Sequence, residues 1–205
     1  MSSKTGDPDL RSRARGRPRG FNPEIALEAA MKVFWAEGFD GASVDTLARR
    51  TGMPRATLYQ LYGDKEGLFL AAVDHYGSTR AARIASALGP EGTLHDDLQQ
   101  FFAAVIDLAL SEPDARGCLI SCVLADAAGT NLRFRDELER RFLALESRIR
   151  ARLDIAPPDG GDTGARAVLI ASIARGLMLR ARAGAGRDRL ARAASEAVRL
   201  LAPAR

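Results

Sequence analysis

The stretch SVDTLARRTGMPRATLYQLY, Ser43 to Tyr62, reads as two short helices joined by a tight turn. Ser43 is a good N-cap for a first helix whose Val44, Leu47 and Ala48 fall three and four apart, on one face. Gly52 can take the left-handed conformation that stops this helix. Pro54 stands where a second helix begins, a place that does not need its missing N–H. Ala48 is small where the second helix must cross, and Leu58 and Leu61 are expected to point into the core. Arg55, Ala56, Thr57, Tyr59 and Gln60 are then left facing outward. A helix-turn-helix with such a face is shaped for the major groove of DNA, although an ordinary helical hairpin has the same local pattern.

The flanks favour the first reading. Pro23 to Glu37 is an amphipathic helix with Ile25, Leu27, Ala30, Met31, Phe34 and Trp35 as its apolar side. After the hairpin, Asp64 can cap a helix carrying Leu68, Phe69, Ala72, Val73 and Tyr76. Three helices around a small core with a supporting fourth make a DNA-binding headpiece.

Phe34-Trp-Ala-Glu-Gly-Phe-Asp-Gly-Ala-Ser43, Leu47-Ala48, Gly52-Met53 and Thr57-Leu-Tyr-Gln-Leu-Tyr-Gly-Asp-Lys-Glu-Gly-Leu68 stand in register with one another. In this the chain resembles the TetR family of bacterial transcriptional regulators, over roughly residues 21–76. Tyr62 departs from the Phe more common there, and either ring can pack at that place. The resemblance implies an all-α protein with an N-terminal three-helix helix-turn-helix headpiece and a C-terminal helical domain for ligand binding and dimerisation. The expected division is a basic arm without fixed structure at 1–20, a headpiece at 21–66 supported by the next helix to about 80, and an effector and dimerisation body at 67–205. The resemblance also implies contacts to phosphates from Ser43, Tyr59 and Lys65.

Composition fits this plan. At 205 residues and 46% hydrophobic content the chain can bury a full core. No apolar run approaches the ~18 residues of a membrane span, and no apolar segment follows the basic N-terminus as in a secretion signal. Two cysteines are too few for a disulfide framework. A cytoplasmic protein without a membrane partner is expected. The net charge is +4, and residues 1–20 carry six basic side chains against Asp7 and Asp9, an excess of four. The arm therefore accounts for the whole net charge. Either it is a solvated tail, or its Arg15, Arg17 and Arg19 neutralise phosphates and reach a minor groove beside the helix-turn-helix.

Beyond the headpiece everything reads helical: a helix from Asp64 toward Leu88, one from Thr93 to about Ser111, a short one from Cys118 to Ala127, then Leu132 to Leu153. Pro157 to Asp162 is a loop, followed by helices from Thr163 to about Ala183 and from Arg187 to about Leu201. Val168, Leu169, Ser172, Ile173, Gly176 and Leu177 form a stripe, with Ala165 and Leu179 at its margins and small Ala171, Ala174 and Gly176 permitting close approach. Leu190, Ala194, Ala197, Val198 and Leu201 form a second. Both stripes either pack inward or, as the resemblance implies, join two copies through four helices. A dimer suits a palindromic operator, since one small headpiece buries little surface. Phe101, Phe102, Val105, Cys122, Phe134, Phe142 and Met178, from several helices, either fill a closed core or line an apolar effector cavity.

Enzyme chemistry finds little support. His75 and His95 are solitary, so no metal site is expected, and nucleophile elbows, phosphate loops and Rossmann glycines are missing. The acidic residues of Arg135-Asp-Glu-Leu-Glu-Arg-Arg141 read as a solvated face with helical ion pairs. No cofactor is expected. Cys118 and Cys122, four apart, read either as two small buried hydrophobes or as a sensing pair sharing a helix face. Arg116-Gly-Cys-Leu119 resembles a segment of a family subset whose cysteine senses electrophiles or oxidants, with Arg116 and a helix N-terminus favouring the thiolate. The expected function is a DNA-binding transcriptional regulator, a repressor released by a small molecule. The alternatives are a thiol-based redox or electrophile sensor of the same kind, and a thiol enzyme or ligand carrier. The last leaves the arginine arm unexplained.

Overall fold

A computed structural model describes residues 22–156 and 161–202, and all its regular elements are helical. The arm of residues 1–20, with Arg15, Arg17 and Arg19, and most of the loop after Ala156 lie outside the described residues. Asn22 caps α1 (Pro23–Gly41) by accepting hydrogen bonds from Glu24 N and Ile25 N. Helical geometry breaks at Gly38, just past the expected end at Glu37. Ile25 is 69% exposed rather than buried. The first turn overhangs the core, and Ala26 and Ala30 take the inward positions.

Helices α2 (Val44–Thr51) and α3 (Arg55–Tyr62) form the hairpin. Ser43 Oγ accepts from Thr46 N at 3.0 Å, and Gly52 ends α2 at φ 68°, in the left-handed region that glycine enters without a steric penalty. Pro54 is the residue just before α3, not its first turn. Leu58 is buried, but Leu61 is 38% exposed, against expectation. The core beneath an eight-residue helix is narrow, and Tyr62, one turn after Leu58, packs on it instead.

Asp64 Oδ1 accepts from Gly67 N at 2.7 Å and starts α4 (Lys65–Tyr76), whose Leu68, Phe69, Ala72, Val73 and Tyr76 are all buried. The helix runs on through a π-helical turn (Gly77–Ala81) into α5 (Ala82–Ser86). Thr93 and Asp96 form a reciprocal capping box at α6 (Leu94–Ala109). A second π-helical stretch (Leu119–Leu124) leads into the one-turn α7 (Ala125–Ala127). Then come α8 (Leu132–Ile155), α9 (Thr163–Arg182) and α10 (Arg187–Leu201). One continuous hydrophobic core joins headpiece and body.

Three polar groupings anchor this core. On α1, Glu28 accepts from Arg80 at 2.5 Å and lies 3.0 Å from His75 Nε2, tying α1 to α4 and the π-turn. His95 Nδ1 donates to the carbonyl of Ala202 at 2.7 Å. Between α6 and α8, Arg152 Nε donates to Asp97 Oδ2 at 2.6 Å, with the side chains only 7% and 1% exposed. Asp97 Oδ1 also accepts from Gly92 N, and Arg152 Nη2 donates to Gly92 O, so the pair closes the loop ahead of α6. Removing one partner leaves an uncompensated buried charge. Arg152→Met should therefore lower unfolding stability by about 3–5 kcal/mol in urea titrations, and adding Asp97→Leu to that variant should recover part of the loss.

Candidate nucleic-acid interface and ligand cavity

The outer side of α3 is open. Arg55, Ala56, Tyr59 and Gln60 are exposed and Thr57 is partly so. Tyr59 is 46% exposed although large and aromatic. Arg55 is paired with Asp45 on α2, and that hydrogen bond holds the Asp45 carboxyl below its ordinary range and the guanidinium above its own. The sequence reading overlooked Asp45, ten residues away, because only the turn folds α2 back beside α3. Both groups are solvent-exposed, so the pair orients Arg55 without holding it tightly.

Two further polar side chains flank the hairpin. Ser43 is exposed at the α2 N-terminus. Lys65, at the start of α4, lies 4.5 Å from the centre of the Phe39 ring and donates to Asp40 O at 3.4 Å. Its stem is thereby held against the headpiece.

In the body a cavity of about 230 Å³ opens among the α4–α5 π-turn, α6, the second π-stretch, α8 and α9. Of the seven residues expected around an effector, Val105, Phe142 and Met178 line it. The other four do not. Phe101 is buried against Phe102, and Phe102 faces a second hollow between α6 and α10. Phe134, on the first turn of α8, packs on Phe39 and Phe69 of the headpiece. Cys118 stands in the wall in place of Cys122. The three phenylalanines face apolar neighbours as the pattern requires, but helix periodicity does not tell which neighbour.

The lining residues missed from the sequence include three arginines: Arg141, Arg148 and Arg175. Arg141 belongs to the supposedly solvated face of α8. It does pair with Glu137 at 2.6 Å, yet it also reaches Asp74 on α4 and is largely buried. Gly77 makes room for it, since a Cβ there would collide with the guanidinium. Arg175 donates to Glu146 at 2.8 Å and lies 3.7 Å over the Phe142 ring. The signal was an arginine beside Phe142 and another amid the apolar residues of α9.

The two thiols do not share a helix face. Cys118 precedes the π-stretch in an extended conformation and is 5% exposed, while Cys122 lies within that stretch and is partly exposed. Cys118 caps the stretch, its carbonyl accepting from Cys122 N at 2.9 Å, so only Cys122 lies on a helical face. Burial pushes the Cys122 thiol above its ordinary range. The neighbouring Tyr76 phenol is pushed well up by burial and by Cys118. Groups of three or more metal-ligating side chains are absent among the described residues.

The family model described as Bacterial regulatory proteins, tetR family matches residues 26–72. The HTH-type transcriptional repressor ComR of Escherichia coli strain K12 is 32% identical over 197 residues, covering 92% of each chain. The chain belongs to the TetR family. It is a DNA-binding regulator of the helix-turn-helix type. The HTH-type transcriptional repressor BdcR of the same E. coli strain is 31% identical over 109 residues, 53% of this chain and 55% of BdcR. Among solved structures, a cysteine mutant of the TetR family regulator CifR complexed with 26-bp double-strand operator DNA superimposes with a TM-score of 0.82. It has 26% identity and covers 90% of this chain and 98% of that one. No described helix of this TetR-family chain is long and apolar enough to cross a membrane.

A raised thiol is mostly protonated at neutral pH and so a poor nucleophile. Alkylation of Cys122 by iodoacetamide at pH 7 should therefore be slower in the folded protein than in urea, and should accelerate as pH rises. Mass spectrometry of the two cysteine peptides reads this directly.

Proposed function

We propose that this regulator is a homodimeric repressor that binds a palindromic operator and leaves it when a small molecule enters the body. The observation that carries this reading is the open face of α3, with Arg55 at its start and Ser43, Tyr59 and Lys65 around it. Arg55 is the direct reader, with guanine as its natural partner, while Thr57 meets a thymine methyl or a phosphate. Ala56 and Gln60 complete the groove-facing surface. Ser43, Tyr59 and Lys65 grip phosphates, and the arm with Arg15, Arg17 and Arg19 adds sequence-independent charge. The working division is an arm at 1–20, a headpiece at 21–66 and an effector and dimerisation body at 67–205. CifR in complex with operator DNA supports this use of the headpiece.

Dimerisation is assigned to the outer side of α9. Val168, Leu169 and Leu179 are 48%, 50% and 59% exposed, and Ser172 and Gly176 lie between them on one line. Of the expected stripes, Leu177, Ala171 and Ala174 face inward, as do Leu190, Ala194, Ala197 and Val198 of α10, which pack within the protomer. The exposed Leu200 is what α10 offers instead. The effector site is the cavity between the π-turn and α8, because its wall is the continuation of the helix that supports the headpiece. An occupant can act only by fitting one arrangement of that helix better than the other. A second reading rests on Cys118 in the cavity wall: an electrophile small enough to enter meets its thiol. Loss of operator binding by wild type on treatment with a quinone, absent in Cys118→Ser, would establish it; equal responses would remove it.

The main test is salt-dependent binding to promoter fragments of neighbouring genes, by fluorescence anisotropy. Arg55→Ala should cost about 1–3 kcal/mol and relax preference at one base position per half-site. Lys65→Ala should weaken every site alike and reduce the salt slope by about one, and deletion of residues 1–19 should reduce it further. Uniform loss for Arg55→Ala would make that residue a backbone contact. Leu169→Glu should yield monomers by light scattering and abolish operator binding at concentrations where wild type is saturated.

A further inference from the structure

The charge around the cavity selects its occupant. Its lining contains three arginines and no carboxylate. Arg141 and Arg175 are already neutralised, by Glu137 with Asp74 and by Glu146. Arg148 is not. Among the described residues it has no carboxylate within ion-pair distance, and its one hydrogen bond is a long 3.4 Å donation from Nε to Ala85 O. It is exposed, so its hydrated charge stands at the opening of the cavity. Behind it the wall is apolar, formed by Val105, Ile120, Phe142, Leu145 and Met178.

Resting on the effector reading above, we infer that the ligand is a small amphipathic anion, with a compact apolar body in the cavity and a single carboxylate or sulfonate on Arg148. An anion there gains a charge-assisted, two-pronged hydrogen bond without breaking an existing ion pair. A cation meets three guanidinium groups, and a neutral molecule leaves Arg148 as it was. The volume of about 230 Å³ limits the body. At ~30 Å³ for each water-sized unit of liquid it holds roughly eight such units, the size of an eight-carbon chain or a substituted ring. Arg148 also touches the last turn of α5, so the anion sits where α8 meets the helix that continues from the headpiece.

The probes are octanoate, octanol and octylamine, which share one apolar chain and differ in head charge. Each is titrated calorimetrically into the full-length protein. Octanoate should bind at least ~10-fold more tightly than octanol, with octylamine weakest, as expected for one exposed charge-assisted hydrogen bond. Arg148→Gln should abolish the preference for octanoate while leaving octanol affinity unchanged, and Arg148→Lys should restore part of it. The unchanged octanol affinity shows that the variant is folded with its cavity intact. Equal affinity of wild type for octanoate and octanol, an octanoate preference that survives in Arg148→Gln, or no binding of any probe would each overturn the inference. Operator binding is followed separately in the same samples. Octanoate that binds through Arg148 but leaves the operator complex intact would support the ligand class and count against release by an effector. Operator binding by protein that binds none of the probes would overturn the ligand class and leave the DNA-binding reading standing.

Discussion

Within the core that runs through headpiece and body, an aromatic joint ties the start of α8 to the headpiece. Phe39, just after the break in α1, and Phe69 of α4 both meet Phe134 on the first turn of α8, with ring centres 4.9 and 5.1 Å apart. Phe34 closes the cluster against Phe69 at 4.9 Å. Each such pair contributes roughly 0.5–1.5 kcal/mol beyond its buried area. The polar contacts beside it, Asn131 to Glu66 at 2.8 Å and Arg133 to Glu66 at 4.0 Å, are partly exposed and weaker. The rings set the position of α8 on the headpiece, and the polar pairs only trim it. Lys65 lies over Phe39 of the same cluster, so the cation at the start of α4 and the inter-domain joint share one ring.

From this joint α8 runs the length of the body, past the cavity. Along the way Arg141 reaches Asp74 of α4, Phe142 lines the cavity, and Arg152 ends in its buried pair with Asp97. The far end of α8 is thus fastened electrostatically and the near end by aromatic packing. Between them, the helix from the headpiece departs from α-helical geometry in the π-turn at Gly77–Ala81. π-turns inside helices commonly mark functional sites. Here the turn lines the cavity, with its Gly77 against Arg141 of α8.

Much of this was legible in the residues themselves. The caps at Ser43, Asp64 and Thr93, the left-handed Gly52 and the apolar spacing of α4, α6, α8, α9 and α10 are local features, and the helices appear within a few residues of where they were expected. The outward face of α3 was equally local, since a residue's side on a short helix follows from its spacing. Leu61 and Ile25 were misplaced because a helix periodicity gives a face but not the width of the core that meets it.

Which buried face meets which neighbour was decided only in three dimensions. Phe134 and Phe142 lie eight residues apart on one helix, yet one joins the headpiece and the other lines the cavity. Arg141 reads as a surface charge until α4 brings Asp74 against it, and nothing local marks Arg152 for its buried pair with Asp97 of α6. Arg55 reads as free until α2 folds Asp45 beside it. The sequence by itself determined the helices, their caps and the family to which they belong, because these depend on interactions within a few residues. The cavity, its positive lining and the joint between headpiece and body depend on contacts between residues far apart in the chain, and only the packed structure decides which of many compatible apolar and charged surfaces meet.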